Sequence, residues 1–195
     1  PPYDTRKDSD ITQPVVSIDD WGDISWKSMQ GMAYKCNLLT RIPETAPDLS
    51  NVTNMSRMFE HARSFNQPIE HWDVSNITDM SRLFYSAESF NQPLEKWDVS
   101  NVTTMKEMFK DANAFNQPIE NWNVSKVTNM VLMLSARSFN QSLEKWDVSN
   151  VTNMYGMFDG ADKFNQPIEN WDVSNVTNMA DMFAFTHSFN QPLEK

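Results

Sequence analysis

The chain has 195 residues, with 16 Lys and Arg against 26 Asp and Glu, which gives a formal net charge of −10 at pH 7. This balance repels phosphates and argues against nucleic acid or an anionic membrane surface as a partner. The single cysteine excludes an internal disulfide, and no apolar run reaches the roughly 20 residues of a membrane-inserted helix.

The first predicted elements form a cap. Residues 1–20 read as a polar arm followed by a first capping strand in TQPVVSIDD. Residues 21–46 form a degenerate capping repeat, in which Cys36 takes the place of a small buried residue. The chain opens PPYDTRKDSD, without an export signal, so we expect a mature or trimmed form.

Six tandem repeats of about 25 residues fill residues 47–195. Copies 1 to 6 begin at Pro47, Trp72, Trp97, Trp122, Trp146 and Trp171. Their frame is W-D-V-S-N-V-T-N-M-x-x-M-F-x-x-A-x-x-F-N-Q-P-[IL]-E-x. A fixed period of this length indicates a repeat architecture, in which neighbouring copies stack and bury one continuous core.

Each copy contains one pattern typical of a helix and one typical of a strand. The segment M-x-x-M-F-x-x-A places apolar residues at i, i+3, i+4 and i+7, which favours a short helix capped by the preceding threonine. The segment N-Q-P-[IL]-E favours extended backbone, and its asparagines suit a ladder of stacked side-chain amides. We therefore predict an α/β repeat, a right-handed leucine-rich-repeat-like solenoid with short strands, short helices and about seven turns.

The words WDVSNVTNM-x-x-MF-x-x-A and SFNQP resemble the BspA-like leucine-rich-repeat family of bacterial surface proteins, and most closely its surface lipoprotein branch. The resemblance covers residues 21–195. It implies a solenoid that is secreted or displayed on a bacterial cell surface and that acts in adhesion or interaction. It supplies no catalytic residues.

The sequence offers no catalytic, cofactor or metal site. All 13 methionines fall on the apolar stripe or in the cap, which favours a core role over a copper site. An active site also breaks symmetry, whereas these copies are equivalent. We therefore predict that the chain is not an enzyme and needs no cofactor.

Two columns of carboxylates form a candidate acidic edge. Its members are Glu70, Glu95, Glu120, Glu144 and Glu169, with Asp73, Asp98, Asp147 and Asp172 three residues further on. Stacked like charges repel. Lysines beside alternate glutamates and Asp-x-Ser turns would offset that repulsion, which favours a solvated face. Calcium bridging is the alternative.

Copy 4 departs most from the frame, because it lacks one residue and carries Val131 and Leu132 where other copies are mostly polar. Together with Tyr155 in the next copy, these residues form a candidate apolar contact patch. The alternative is local repacking around the deletion.

These features predict a non-catalytic protein-binding module outside the cell or at a bacterial surface, with a host surface protein as partner. The alternative is an immunity or inhibitor protein whose acidic face neutralises a basic toxin or enzyme. Copy 6 differs little from the internal copies, so we also expect a continuation of the native protein beyond Lys195, or self-association through an open C-terminal end.

Overall fold

The computed structural model describes residues 15–193, and in that range the backbone winds through the copies as a coil of stacked turns. No residue in this range belongs to an α-helix, and regular pairing is limited to isolated parallel bridges. These bridges join Ser17 to Arg41, Asn54 to Asp79, Asp79 to Thr104, Thr104 to Asn129, Asn129 to Asn153, and Asn153 to Asn178. The predicted α/β solenoid of short strands and short helices is therefore wrong, since loops and turns dominate. Across the described range no helix is long and apolar enough to cross a membrane.

The predicted helix is replaced by a chain of tight turns. In copy 1 the N–H of Met58 donates to the Met55 carbonyl at 3.2 Å, and the N–H of Ala62 donates to the Phe59 carbonyl at 3.0 Å. Arg57 and His61 are the third residues of these two turns and lie in the left-handed region, at φ of 60° each. A left-handed residue interrupts an α-helix. The apolar spacing of the frame is thus produced by turns that return the same side of the chain to the core.

Residues with positive φ recur at equivalent positions along the coil, and most of them are not glycine. The non-glycine members in the repeats are Arg57, His61, Arg82, Ser86, Glu107, Asp111, Leu132, Asp181 and Phe185.

Alternate backbone N–H groups bond to the next copy rather than to their own. Met55, Arg57 and Phe59 donate to the carbonyls of Asp79, Ser81 and Leu83 at 2.9–3.0 Å. The same pattern joins copy 2 to copy 3, where Phe84 donates to Met108 at 2.9 Å. Backbone groups that a helix would satisfy internally are therefore satisfied between copies.

The frame threonines form a ladder and do not cap helices. Thr78 Oγ1 donates to the Thr53 carbonyl at 3.2 Å, and Thr103 Oγ1 donates to the Thr78 carbonyl at 3.2 Å. The predicted N-cap role is wrong because no helix follows these residues in the described range.

The core is a set of columns that run the length of the coil. Phe59 and Phe65 of copy 1 stack at 4.0 Å, and Phe65 stacks on Phe90 of copy 2 at 5.8 Å. Trp97 Nε1 donates to the Ile69 carbonyl at 3.0 Å, and the tryptophans of copies 4 to 6 repeat this bond. Copies 3 to 6 thus contribute both apolar area and a buried hydrogen bond to the stack, whereas Trp72 Nε1 of copy 2 is buried without a hydrogen-bond partner within the described residues.

The predicted ladder of asparagine side chains is confirmed. Asn66 Oδ1 accepts the Asn91 N–H at 2.9 Å and Gln92 Nε2 at 3.0 Å. The asparagines at 91, 116, 140 and 165 accept the same pair from the following copy. This ladder fixes the NQP segment, so its invariance has a structural cause.

The capping repeat joins copy 1 through the same backbone pattern. Met29, Gly31 and Ala33 donate to the carbonyls of Asn54, Ser56 and Met58 at 2.9–3.0 Å. Cys36 lies half-buried beside them, and this burial raises the pKa of its thiol. The predicted first capping strand is reduced to the bridge at Ser17. The predicted polar arm lies within residues 1–14, which are outside the described range.

Candidate functional site

The residues that differ between copies lie in register on the outer side of the M-x-x-M-F-x-x-A turns. We call this surface the variable face. In copies 1 to 3 it comprises Ser56, Arg57, Glu60, His61, Ser81, Arg82, Tyr85, Ser86, Lys106, Glu107, Lys110 and Asp111. Because equivalent backbone groups bond from copy to copy, side chains at one frame position form a column along this face.

Aromatic rings and cations alternate over the first three copies and the cap. The ring centroid of His61 lies 6.4 Å from that of Tyr34 and 5.2 Å from that of Tyr85, both edge to face. The Arg82 guanidinium and the Lys110 ammonium lie 5.5 and 5.6 Å from the Tyr85 ring centroid. We call this surface the cation–aromatic face, and it comprises Tyr34, Lys35, Arg57, His61, Arg82, Tyr85, Lys106 and Lys110.

Two buried carboxylates lie beneath these cations. Arg82 Nη2 lies 2.9 Å from Glu107 Oε2, and Lys106 Nζ lies 3.5 Å from Glu107 Oε1. Arg57 Nε lies 3.4 Å from Glu60 Oε2. The carboxylate side chains are only 6–7% exposed, whereas those of Arg57, Arg82 and Lys106 are 31–44% exposed. The cations therefore face solvent and their counter-charges do not.

The electrostatics of this network favour charged side chains. Burial by itself lowers the pKa of Arg82, but the hydrogen bond and charge of Glu107, with Glu60 beyond it, outweigh burial and raise that pKa. Glu60 Oε2 is buried without a hydrogen-bond partner within the described range, although the Arg57 and Arg82 cations and His61 surround this carboxylate. Breaking such a buried network by removing one partner is costly, because a buried charge is left uncompensated.

The candidate apolar patch is divided between packing and solvent. Val131 and Leu132 are half-buried and Tyr155 is exposed. Leu132 lies directly over Gly156, where an added Cβ would come within 2.6 Å of Leu132 Cδ2. A hydrogen bond to Asp181 raises the pKa of the Tyr155 phenol. Leu132 thus has a packing role between copies 4 and 5, and Tyr155 is the more accessible member.

Lysines form ion pairs with the glutamates of the candidate acidic edge in alternate copies, and Asn121 Nδ2 donates to Glu95 between them at 2.9 Å. Glu70 pairs with Lys96 at 3.0 Å, and Glu120 pairs with Lys145 at 3.1 Å. Ser142 Oγ also donates to Glu120 at 2.7 Å, and that hydrogen bond is the main cause of the lowered pKa of Glu120. The lysines predicted to offset this column do pair with it, but Lys96 and Lys145 reach glutamates of the preceding copy and not Glu95 and Glu144 beside them in the sequence. Glu95, Glu144 and Glu169 are exposed.

The aspartates of this edge form Asx turns, as predicted. Asp73 Oδ1 accepts the N–H and the hydroxyl of Ser75 at 3.1 and 2.6 Å, and Asp172 accepts the Ser174 N–H at 3.0 Å. Hydrogen bonds from the following serine lower the pKa values of Asp73, Asp98 and Asp147. Within residues 15–193 no group of three or more His, Cys, Asp or Glu side chains is placed to hold a metal ion.

The family described as "Mycoplasma protein of unknown function, DUF285" matches residues 27–137 and 119–195. The chain belongs to this family. No curated protein and no solved structure matches this chain. The first segment of the DUF285 match contains the whole cation–aromatic face, and the two segments together contain the acidic edge and the apolar patch.

The cation–aromatic face is the site that the sequence alone did not reveal. Tyr34 of the cap and Tyr85 of copy 2 share one frame position, which Glu60 holds in copy 1. The aligned repeats therefore gave only a weak indication of this face. Arg82 and Glu107 also hold one frame position in adjacent copies, so their ion pair is consistent with the aligned repeats. The contacts of Arg82 with Glu60 and of His61 with Tyr85 join different frame positions, and they could be found only once the backbone register was known.

Proposed function

We propose that this chain is a non-catalytic protein-binding module of a bacterial surface or secreted protein, acting in adhesion or interaction. The observation that carries the proposal is the separation of two sets of residues. The apolar residues of the invariant frame are buried in the coil, and the residues that vary line one surface, on which Glu60 and Glu107 are buried and Arg57, Arg82 and Tyr85 are half-buried. Variation confined to one surface of a rigid scaffold is typical of binding proteins.

The composition of that face supports recognition of protein. Tyrosine and arginine are enriched among the residues that dominate protein interfaces. Here Tyr34, Tyr85 and Arg82 lie together, and ion pairs and ring contacts hold them in place. A face that is ordered before binding loses less conformational entropy when a partner docks.

The resemblance of the repeats to BspA-like surface proteins, together with membership of the DUF285 family, supports display on the cell surface or secretion. The resemblance lies in the repeated sequence motifs and their spacing. The turn-rich coil differs from the strands and helices that the residue patterns of the repeats predicted. Attachment as a lipoprotein belongs to the same proposal.

A capture experiment with two matched variants tests this function. The first variant carries Tyr85→Ser, Lys110→Ser, Val131→Ser and Tyr155→Ser on the variable face, and the second carries Lys96→Ser and Lys145→Ser on the acidic edge. Beads coated with the unchanged chain or the second variant should capture proteins from a host cell-surface extract, and the first variant should not. Equal capture by all three proteins, or capture by none, would contradict the proposal.

The acidic edge carries a second candidate function, that of an immunity or inhibitor protein. Glu144 and Glu169 are exposed, and the serine hydrogen bonds help to keep Asp98 and Asp147 ionised. A basic toxin or enzyme would be steered towards such a surface. If this candidate is correct, Glu144→Gln with Glu169→Gln abolishes capture of a basic protein from the producing cell, while the variable-face variant retains it.

A further inference from the structure

We propose that the cation–aromatic face binds an acidic peptide segment of a partner protein in extended conformation, with its carboxylates on the exposed cations and its backbone against the tyrosine rings. This inference rests on the proposed protein-binding function, and it specifies the site and the chemical class of the partner.

The charge that this face presents to solvent is opposite to that of the chain as a whole. The formal net charge is −10, yet the carboxylates that neutralise Arg82 and Lys106 are almost fully buried beneath them. Lys110 extends over the Tyr85 ring and forms no carboxylate ion pair within the described residues. An approaching partner therefore meets guanidinium and ammonium groups first, and charge complementarity selects a partner with carboxylates.

The spacing of the face matches an extended chain. The rings of Tyr34, His61 and Tyr85 follow one another at 6.4 and 5.2 Å along the coil. Alternate side chains of an extended peptide emerge on one side about every 6.4–6.8 Å. A peptide along the coil axis can thus offer about one carboxylate per copy, over a site that spans the cap and three copies.

Arg82 keeps donors for such a ligand while it stabilises the fold. Its Nη2 pairs with Glu107 at 2.9 Å and its Nη1 lies 4.0 Å from Glu60. A guanidinium has five N–H donors in a fixed fork, and this side chain remains 31% exposed. The buried carboxylates thus orient the fork, and the remaining donors point to the partner.

The chemistry favours a short acidic peptide over a nucleic acid or another long polyanion. A long polyanion gains affinity from many phosphates or sulfates in succession. Beyond copy 3 the variable face instead carries Val131, Tyr155 and Asp159. A ligand that ends within three copies avoids these residues.

Fluorescence anisotropy with a labelled ten-residue peptide of alternating Glu and Ser tests the proposal directly. Alternation places every carboxylate on one side of the extended peptide. The unchanged chain should bind this peptide, more weakly as salt is raised, and should not bind the equivalent Gln–Ser or Lys–Ser peptide. The test variant is Lys106→Gln with Lys110→Gln, which spares Arg82 and the Arg57–Glu60 pair.

The matched control is Lys145→Gln with Lys163→Gln, which makes the same change in net charge on other surfaces. The test variant should weaken binding by about fivefold or more, since each exposed ion pair contributes about two- to fivefold. The control should stay within about twofold. Both variants should remain folded and unfold cooperatively, because Glu107 keeps its closer ion pair with Arg82 in the test variant.

Several results would overturn the proposal. These are no binding of the Glu–Ser peptide, equal weakening in both variants, or tighter binding of heparin or RNA with the same dependence on Lys106 and Lys110. Salt-sensitive self-association in sedimentation, abolished by the test variant, would instead assign the face to the acidic edge of a second copy. If the peptide fails to bind but bead capture still depends on the variable face, the partner class is wrong and the proposed function stands.

Discussion

At the scale of single residues, Gly156 shows how one copy constrains the next. The same frame position holds Arg57, Arg82 and Glu107 in copies 1 to 3, all with φ of 56–60°. The left-handed backbone therefore does not by itself require glycine. What distinguishes Gly156 is Leu132, which occupies the space that its Cβ would fill.

Gly156→Ala should therefore destabilise the chain more than Gly160→Ala. Both residues are left-handed, but an added Cβ at Gly160 meets nothing within 4 Å. The left-handed strain of about 1–2 kcal/mol is common to both changes, and overlap with Leu132 should add about 1–3 kcal/mol at Gly156. Urea denaturation measures the difference, and Leu132→Ala should remove the extra cost. Equal losses for the two alanine variants would show that Leu132 does not press on this site.

Phe115→Ala should lower the free energy of unfolding by about 3–5 kcal/mol, because a buried phenylalanine leaves a cavity when truncated. Its ring is fully buried and lies 3.9 Å from Phe109 and 6.1 Å from both Phe90 and Phe139. The control is Phe185→Ala, since that ring is 74% exposed and should contribute little. Chemical denaturation that gives similar losses for both variants would refute the stacking register.

At the scale of elements, the apolar spacing was predicted from the sequence but its backbone was not. Residues at i, i+3, i+4 and i+7 return to one side in a helix, and they do so equally in consecutive four-residue turns. The choice between helix and turns depends on where alternate backbone amides find their hydrogen-bond acceptors. The amides of Arg57 and Phe59 find theirs in the next copy. A single-sequence pattern does not contain that information, whereas the asparagine ladder could be predicted because one residue type repeats at every turn.

The Asx turns predict how stability depends on pH. The pKa values of Asp73, Asp98 and Asp147 are lowered in the fold. Their contribution is therefore present above the unfolded value of about 4 and is lost as pH falls through the lower folded values. Asp159 contributes to the pH dependence with the opposite sign, because burial and then the charge of Asp181 raise its pKa. Its ionised form destabilises the fold, and protonation in acid removes that destabilisation.

Asp98→Asn should reduce the acid sensitivity of the fold without breaking the turn. Asn123 holds the equivalent position in copy 4 and accepts the Ser125 N–H and hydroxyl at 3.2 and 2.7 Å. In urea denaturation the variant should be slightly less stable than the unchanged chain at pH 7, and the difference should shrink by pH 3. A difference that stays constant over this range would show that ionisation of Asp98 does not contribute.

At the scale of the whole molecule, each copy is stabilised by its neighbours through columns that extend along the coil. The cation–aromatic face exists only in this register, since its ion pairs and ring contacts join copies about 25 residues apart. Stability in such a coil is roughly a sum over adjacent copies. A disruption within copy 2 should therefore weaken both the fold and the binding face.

The outer side of copy 6 predicts concentration-dependent association of this polypeptide. Within the described residues, the backbone N–H groups of Met179, Asp181, Phe183 and Phe185 have no acceptor, and the side chains of Val173, Met179 and Phe185 are exposed. Unpaired backbone groups beside apolar side chains form a template for another chain. Light scattering should show growth in mass with concentration, and Val173→Lys with Met179→Lys should suppress it. A constant monomer mass would contradict this expectation.

Residue-resolved amide hydrogen exchange in dilute solution tests the stacked-turn coil most directly. In copy 3, Met105, Glu107 and Phe109 donate to copy 4, while Met108, Lys110 and Ala112 donate within their own turns, so all six amides should be protected. In copy 6 only the amides that donate within their own turns have acceptors, and those of Met182, Ala184 and Thr186 should therefore exchange slowly. The amides that have no acceptor should exchange fast, and these belong to Met179, Asp181, Phe183 and Phe185. Uniform protection from 181 to 186, as a helix capped at Thr177 would give, would contradict the coil and the face built on it.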